Sequence, residues 1–165
     1  MRSTRARPQN AGIVVDITDR QKLIRIGKPF LERLVRRTLA AEGIERAEIG
    51  ILLVDDRRIA ALHAEWLSDS SPTDVITFDL SEPGGDLLRG DIVVSTETAR
   101  RAGREFDSTP RQEVAYYVVH GLLHLAGYDD RTPRARRAMR LRERAVMRLV
   151  GQPLPSRRRA TRGRA

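Results

Sequence analysis

The stretch from Val114 to Leu125 constrains this chain more than any other. It carries no ionised side chain and runs directly into Ala126-Gly127-Tyr128-Asp129-Asp130. A bilayer span needs ~20 apolar residues, so this run is too short to be one. A helix that is apolar all round is instead one buried in a soluble core. Thr109-Pro110-Arg111-Gln112, just ahead of it, has the form of a capping box with proline at the first helical position. Gly127 falls where a helix end favours a residue free to take positive φ. The sequence therefore predicts a fold assembled around this one helix.

Two histidines sit in it, His120 and His124. Four residues apart on a helix, they share one face. A lone histidine in such a setting is ordinarily a core residue bonded to a carbonyl or carboxylate. A pair at this spacing, followed by a glycine and then an acid, asks for more. The turn at Gly127 can bring Asp130 back towards both rings, giving two nitrogens and one oxygen. That is the donor set of a catalytic zinc site with an open fourth position. Asp129 is the alternative third ligand. The remaining histidine, His63, stands alone on its segment, where solvent or a local hydrogen bond is the ordinary fate.

The chain of 165 residues suits a single domain with a full core. It has no cysteine, which excludes disulfides and thiolate metal sites and fits a reducing compartment. Arginines near the N-terminus are not followed by an apolar segment, so no secretory signal is predicted and a cytoplasmic protein is expected. The net charge of +9 is unevenly placed. Residues 131–165 hold thirteen arginines against one acid, Glu143, a balance of +12 that leaves −3 for the rest. A basic segment of this kind attracts phosphate backbones by counterion release.

In chain order, residues 1–11 read as a disordered tail, residues 12–150 as the domain and residues 151–165 as an arginine-rich tail. Strands are predicted at Ile13–Ile17, Ile49–Val54, Val75–Leu80 and Ile92–Val94. Helices are expected from Pro29, from Asp55 or Asp56, from Ser95 or Thr96, from Pro110 and from Pro133. The connection between the last two strands is short for a crossover, so they are expected to pair antiparallel. The order β-α-β-α-β-β-α-α-α predicts an α+β domain: a four-stranded mixed sheet packed on about five helices, with the histidine helix innermost.

A metal with an open position lowers the pKa of a bound water towards neutrality, which suits hydrolysis. The spacing of His120, His124, Gly127 and Asp130 is similar to the long zinc-peptidase motif His-Glu-x-x-His-x-x-Gly-x-x-His. The peptidase base follows the first histidine, and Gly121 stands there instead. Losing that carboxylate costs typically ~10²–10⁴-fold in rate, which disfavours peptide hydrolysis. Phosphodiester cleavage asks less of a protein base, because the RNA's own 2′-hydroxyl can attack.

His120-Gly-x-Leu-His124-Leu-x-Gly127-Tyr128-Asp129 resembles the signature of the bacterial YbeY-type endoribonucleases. Pro72-Thr73-Asp74-Val75-Ile76-Thr77-Phe78 is similar to their Pro-Thr-Asp-Val-Leu-Ser-Phe stretch, and Gly90-Asp91-Ile92-Val93-Val94-Ser95 to their Gly-Asp-Ile-Val-Ile-Ser strand. The resemblance implies a metal-dependent, single-strand-specific endoribonuclease. It further implies one zinc ion per chain, a role in 16S rRNA 3′-end maturation and ribosome quality control, and the small ribosomal subunit as partner. Two positions depart from the pattern. The family normally ends its motif in a third histidine where this chain has Asp130. It also usually carries an arginine shortly before Pro-Thr-Asp, where this chain has Leu67. A non-catalytic ribosome-assembly factor with a structural metal is the alternative reading.

Overall fold

The structure, a computed structural model, describes residues 12–67, 73–155 and Arg157. The expected N-terminal tail, residues 68–72, Ser156 and the end of the basic tail at 158–165 lie outside the described residues. Four strands and five helices follow the predicted order: β1 (Ile13–Asp19), α1 (Lys28–Ala41), β2 (Ala47–Val54), α2 (Asp56–Leu67), β3 (Val75–Asp79), β4 (Leu88–Ser95), α3 (Thr96–Phe106), α4 (Pro110–Leu125) and α5 (Pro133–Leu149). The strands form one sheet in the order β1-β2-β4-β3. β1, β2 and β4 run parallel, and β3 pairs antiparallel with β4, as its short connection requires.

Period-two alternation assigns the sheet's two faces. Ile49, Ile51 and Leu53 of β2, with Ile92 and Val94 of β4, join the main core with α1, α4 and α5. Val54, Val93 and Ile76 point the other way and pack with Ile59 of α2, beside the partly buried Leu62 and Phe78. β2 is central and covered on both sides, which explains why it is nearly all apolar. α2 starts where the Asp55 side chain accepts the Arg58 N–H at 2.8 Å.

α4 is the innermost helix. Val114, Ala115, Val118, Val119, Leu122 and Leu123 are all buried along one broad face, while Tyr116, His120 and His124 on the opposite side are only partly covered. α5 covers it through Met139, Val146 and Met147 while turning its arginines outward. Beyond α5 the chain folds back rather than leaving. The Gln152 N–H donates to the Met147 carbonyl at 2.8 Å, and the Gln112 side chain donates to the Pro153 carbonyl at 2.8 Å. Arg157 then pairs with the fully buried Glu113 at 2.5 Å and lies over the rings of Phe106 and Tyr116. A buried carboxylate without such a partner would be costly, so this arginine ties the chain down where α4 begins.

Candidate metal centre

Both ends of α4 are fixed by local chemistry. At the start, the Thr109 hydroxyl accepts the Gln112 N–H at 3.1 Å and the Gln112 side chain accepts the Thr109 N–H at 2.9 Å. This is the reciprocal capping box. At the end, Gly127 takes φ of 105°. Its N–H donates to the His124 carbonyl at 3.0 Å, and the Tyr128 N–H donates to the Leu123 carbonyl at 3.0 Å. These paired bonds satisfy the last carbonyls and reverse the chain, and only glycine takes that backbone conformation without strain. The turn is then held from outside. The Tyr128 hydroxyl donates to Glu42 at 3.1 Å, and Arg142 of α5 grips the same carboxylate at 2.6 Å.

The two imidazoles are oriented from behind. His120 Nδ1 lies 2.5 Å from a Glu143 oxygen, and His124 Nδ1 lies 3.1 Å from the Tyr128 carbonyl. Both partners are acceptors, so both Nδ1 atoms donate, and in the neutral rings both Nε2 atoms carry lone pairs. Those Nε2 atoms face each other at 3.1 Å. Two lone pairs cannot be stable at that distance unless a proton or a cation stands between them. An Asp130 oxygen lies 3.5 Å from His124 Nε2. One donor atom from each of the three residues falls within 4.8 Å of the other two, close enough to hold a single ion. Burial acts to lower the pKa of His120, but the hydrogen bond and charge of Glu143, with Asp74 and Asp130, outweigh it and leave the pKa raised. The site attracts positive charge.

Asp129 is occupied elsewhere. Its carboxylate accepts the N–H groups of Asp130 and Arg131 and the Arg131 guanidinium. That guanidinium bond, foremost, holds its pKa low. Asp130 is thus the acid left beside the rings. Gly121 faces the sheet: a β-carbon there would lie 3.0 Å from Ile92 and from the Thr77 hydroxyl. The place of the peptidase glutamate is therefore filled by sheet, with no room for a carboxylate. His63 lines the same hollow as His120 and His124 but does not join the donor group found among the described residues. Leu67 closes α2, and its side chain lies outside the described residues. Sequence reasoning missed Glu143 as the group behind His120. Its one signal was being the sole acid in the arginine-rich last fifth of the chain.

The hollow holds about 340 Å³ and opens at the β3 edge of the sheet. Val75, Ile76 and Leu125 supply its hydrocarbon wall, and Thr77 and Asp79 add polar groups from the edge strand. A family model described as Endoribonuclease YbeY matches residues 16–151. The chain belongs to the YbeY endoribonuclease family. It is 47% identical over 129 residues to an endoribonuclease YbeY of Anaeromyxobacter sp. strain Fw109-5, a match covering 76% of this chain and 67% of that relative. It is 46% identical over 114 residues to the Anaeromyxobacter dehalogenans relative, spanning 68% of this chain and 59% of that one. It is 39% identical over 132 residues to the Moorella thermoacetica relative, 73% of this chain and 85% of that one. The fold is similar to the solution structure of TM1509 from Thermotoga maritima, with a TM-score of 0.61 at 28% identity, covering 83% of this chain and 89% of the other.

Proposed function

We propose that the chain is a metal-dependent endoribonuclease for single-stranded RNA, with His120, His124 and Asp130 as the ligands of one zinc ion. The pair of Nε2 lone pairs facing each other at 3.1 Å beside a carboxylate carries this reading. When bound, a divalent cation supplies Lewis-acid stabilisation of the charge that develops on a phosphate in the transition state. Glu143 keeps His120 in the tautomer that turns Nε2 to the hollow, and the Tyr128 carbonyl does the same for His124. The hydrocarbon of Val75, Ile76 and Leu125 limits water at the reacting phosphate. Family membership supports rRNA precursors as substrate, 16S rRNA 3′-end maturation and ribosome quality control as the process, the small subunit as partner and the cytoplasm as the place. Peptide hydrolysis is disfavoured by the packing of Gly121.

The test pairs metal analysis of the purified protein with cleavage of a single-stranded rRNA fragment. Cleavage is expected to stop on chelation and to return with zinc. Equal cleavage by wild type and His120→Ala would overturn the reading. Tight binding of precursor rRNA without any cleavage would instead favour the assembly factor for which Leu67, in the place of the family arginine, speaks.

A further inference from the structure

A second hollow, about 680 Å³, lies between α5 and the chain that folds back after it. Arg140, Arg144 and Arg148 line one side at four-residue spacing, and Pro153, Leu154 and Pro155 form the other. All three arginines are exposed, and among the described residues none makes a hydrogen bond or ion pair with an acid. The one acid in the lining is Glu143, and both of its oxygens are committed: one to His120 Nδ1, the other accepting the Tyr116 hydroxyl at 3.0 Å. Arg157 completes the lining with its charge already held by Glu113. Three uncompensated guanidinium groups thus border a concave surface that has no carboxylate left to neutralise them.

We propose that this groove binds the phosphodiester backbone of the RNA strand that is cut at the histidine site. The inference rests on the endoribonuclease reading and adds where the strand is held. Guanidinium groups bind phosphate oxygens through forked N–H donors and stay charged at any physiological pH. Their spacing along α5, one per helical turn or about 5–6 Å, suits successive phosphates of an extended strand. The groove also lies beside the site it serves. Glu143 lines the groove, His120 lines the hollow at the β3 edge, and the two side chains touch at 2.5 Å. The groove thus abuts the Nδ1 side of the imidazole whose Nε2 faces the hollow. Backbone contacts of this kind position without reading sequence.

The experiment measures binding of a single-stranded oligouridylate by the full-length, zinc-loaded protein across a salt series. R140Q/R144Q/R148Q is set against R134Q/R136Q/R137Q, which removes the same charge from exposed positions of α5 outside the groove. Glutamine is a good helix former at exposed sites, so both triples should fold, with unchanged zinc content as the check. The groove triple is expected to lower the slope of log K against log salt by about 2, at ~0.7 for each phosphate of a single strand that is no longer neutralised. It should bind about tenfold or more weaker near physiological salt, with KM raised and kcat little changed. The control triple should fall well short of that. Equal slopes for wild type and the groove triple, or equal losses in both triples, overturn the groove. Those outcomes leave cleavage by wild type intact, so they are distinct from failure of the endoribonuclease reading, in which wild type binds but does not cut. Absence of any RNA binding by wild type overturns both.

Discussion

The hollows on either side of the His120–Glu143 contact are built on opposite principles. In the smaller one the imidazoles are held from behind, Nδ1 of His120 on Glu143 and Nδ1 of His124 on a carbonyl, with Asp130 beside the rings. Val75, Ile76 and Leu125 add hydrocarbon to its walls. In the larger one the charges of Arg140, Arg144 and Arg148 are uncommitted, on long side chains in contact with solvent. The roles proposed for them differ as chemistry does from capture. Bond breaking needs groups preorganised to a fraction of an ångström, which requires buried partners behind them. Attraction of a polyanion needs only net field, which solvated arginines supply without fixed geometry.

Substitutions can break that contrast from either side. His120→Ala should have the largest effect, removing both bound zinc and RNA cleavage, read by metal analysis and a cleavage assay; retention of either would show that the smaller hollow is not the chemical one. Glu143→Ala comes next. It leaves the Nδ1–H of His120 and the Tyr116 hydroxyl without their acceptor, so zinc affinity or turnover should fall about 10–100-fold. The slope of RNA binding against salt should not fall with it, because Glu143 contributes no positive charge. A fall in that slope would mean the two hollows are one unit. Asp130 should be gentler still: Asp130→Ala loosens zinc, Asp130→His holds it or tightens it, and equal affinity in all three proteins by competition titration would remove Asp130 from the ligand set.

The smallest effect is expected away from both hollows. Asp56 accepts hydrogen bonds from Ser95 at 2.5 Å, Thr98 at 2.8 Å and Arg101 at 2.6 Å. Burial acts to raise its pKa, but these bonds prevail and hold it below the usual 3.8. Asp56→Ala should cost about 1 kcal/mol of stability, roughly 3 °C in Tm, with cleavage unchanged. A carboxylate whose pKa is depressed on folding stabilises above its unfolded value and loses that as pH falls through the folded one. The gap between wild type and Asp56→Ala should therefore be full at neutral pH and close below 3.8 in pH-dependent melts. A gap that persists at lower pH would trace the effect to packing.

Much of this molecule is legible in its sequence. Features written in adjacent residues are the clearest: the Thr109–Gln112 box, the glycine reversal, the four-residue histidine spacing and the antiparallel β3–β4 pair. The first three depend on atoms within a few residues, and the two strands of the last are joined by one short connection. The partners that reach across the fold are not legible. Glu143 meets His120 only because α5 packs over α4 through Met139, Val146 and Met147. Arg157 reads as one of many tail arginines, yet among the described residues it is the one paired with the buried Glu113. Composition shows that positive charge gathers near the end of the chain. It cannot show that one arginine there is structural while those lining the groove on α5 are unpaired.

All three proposed donors lie between His120 and Asp130, in a single short piece of chain. Closing so small a loop around an ion costs little entropy, and this holds for the denatured polypeptide as well as the native one. Some of the affinity for the proposed ion would then be available to the unfolded molecule, and only the excess in the native state would add to folding. The ion should therefore raise the melting temperature by less than its dissociation constant would suggest.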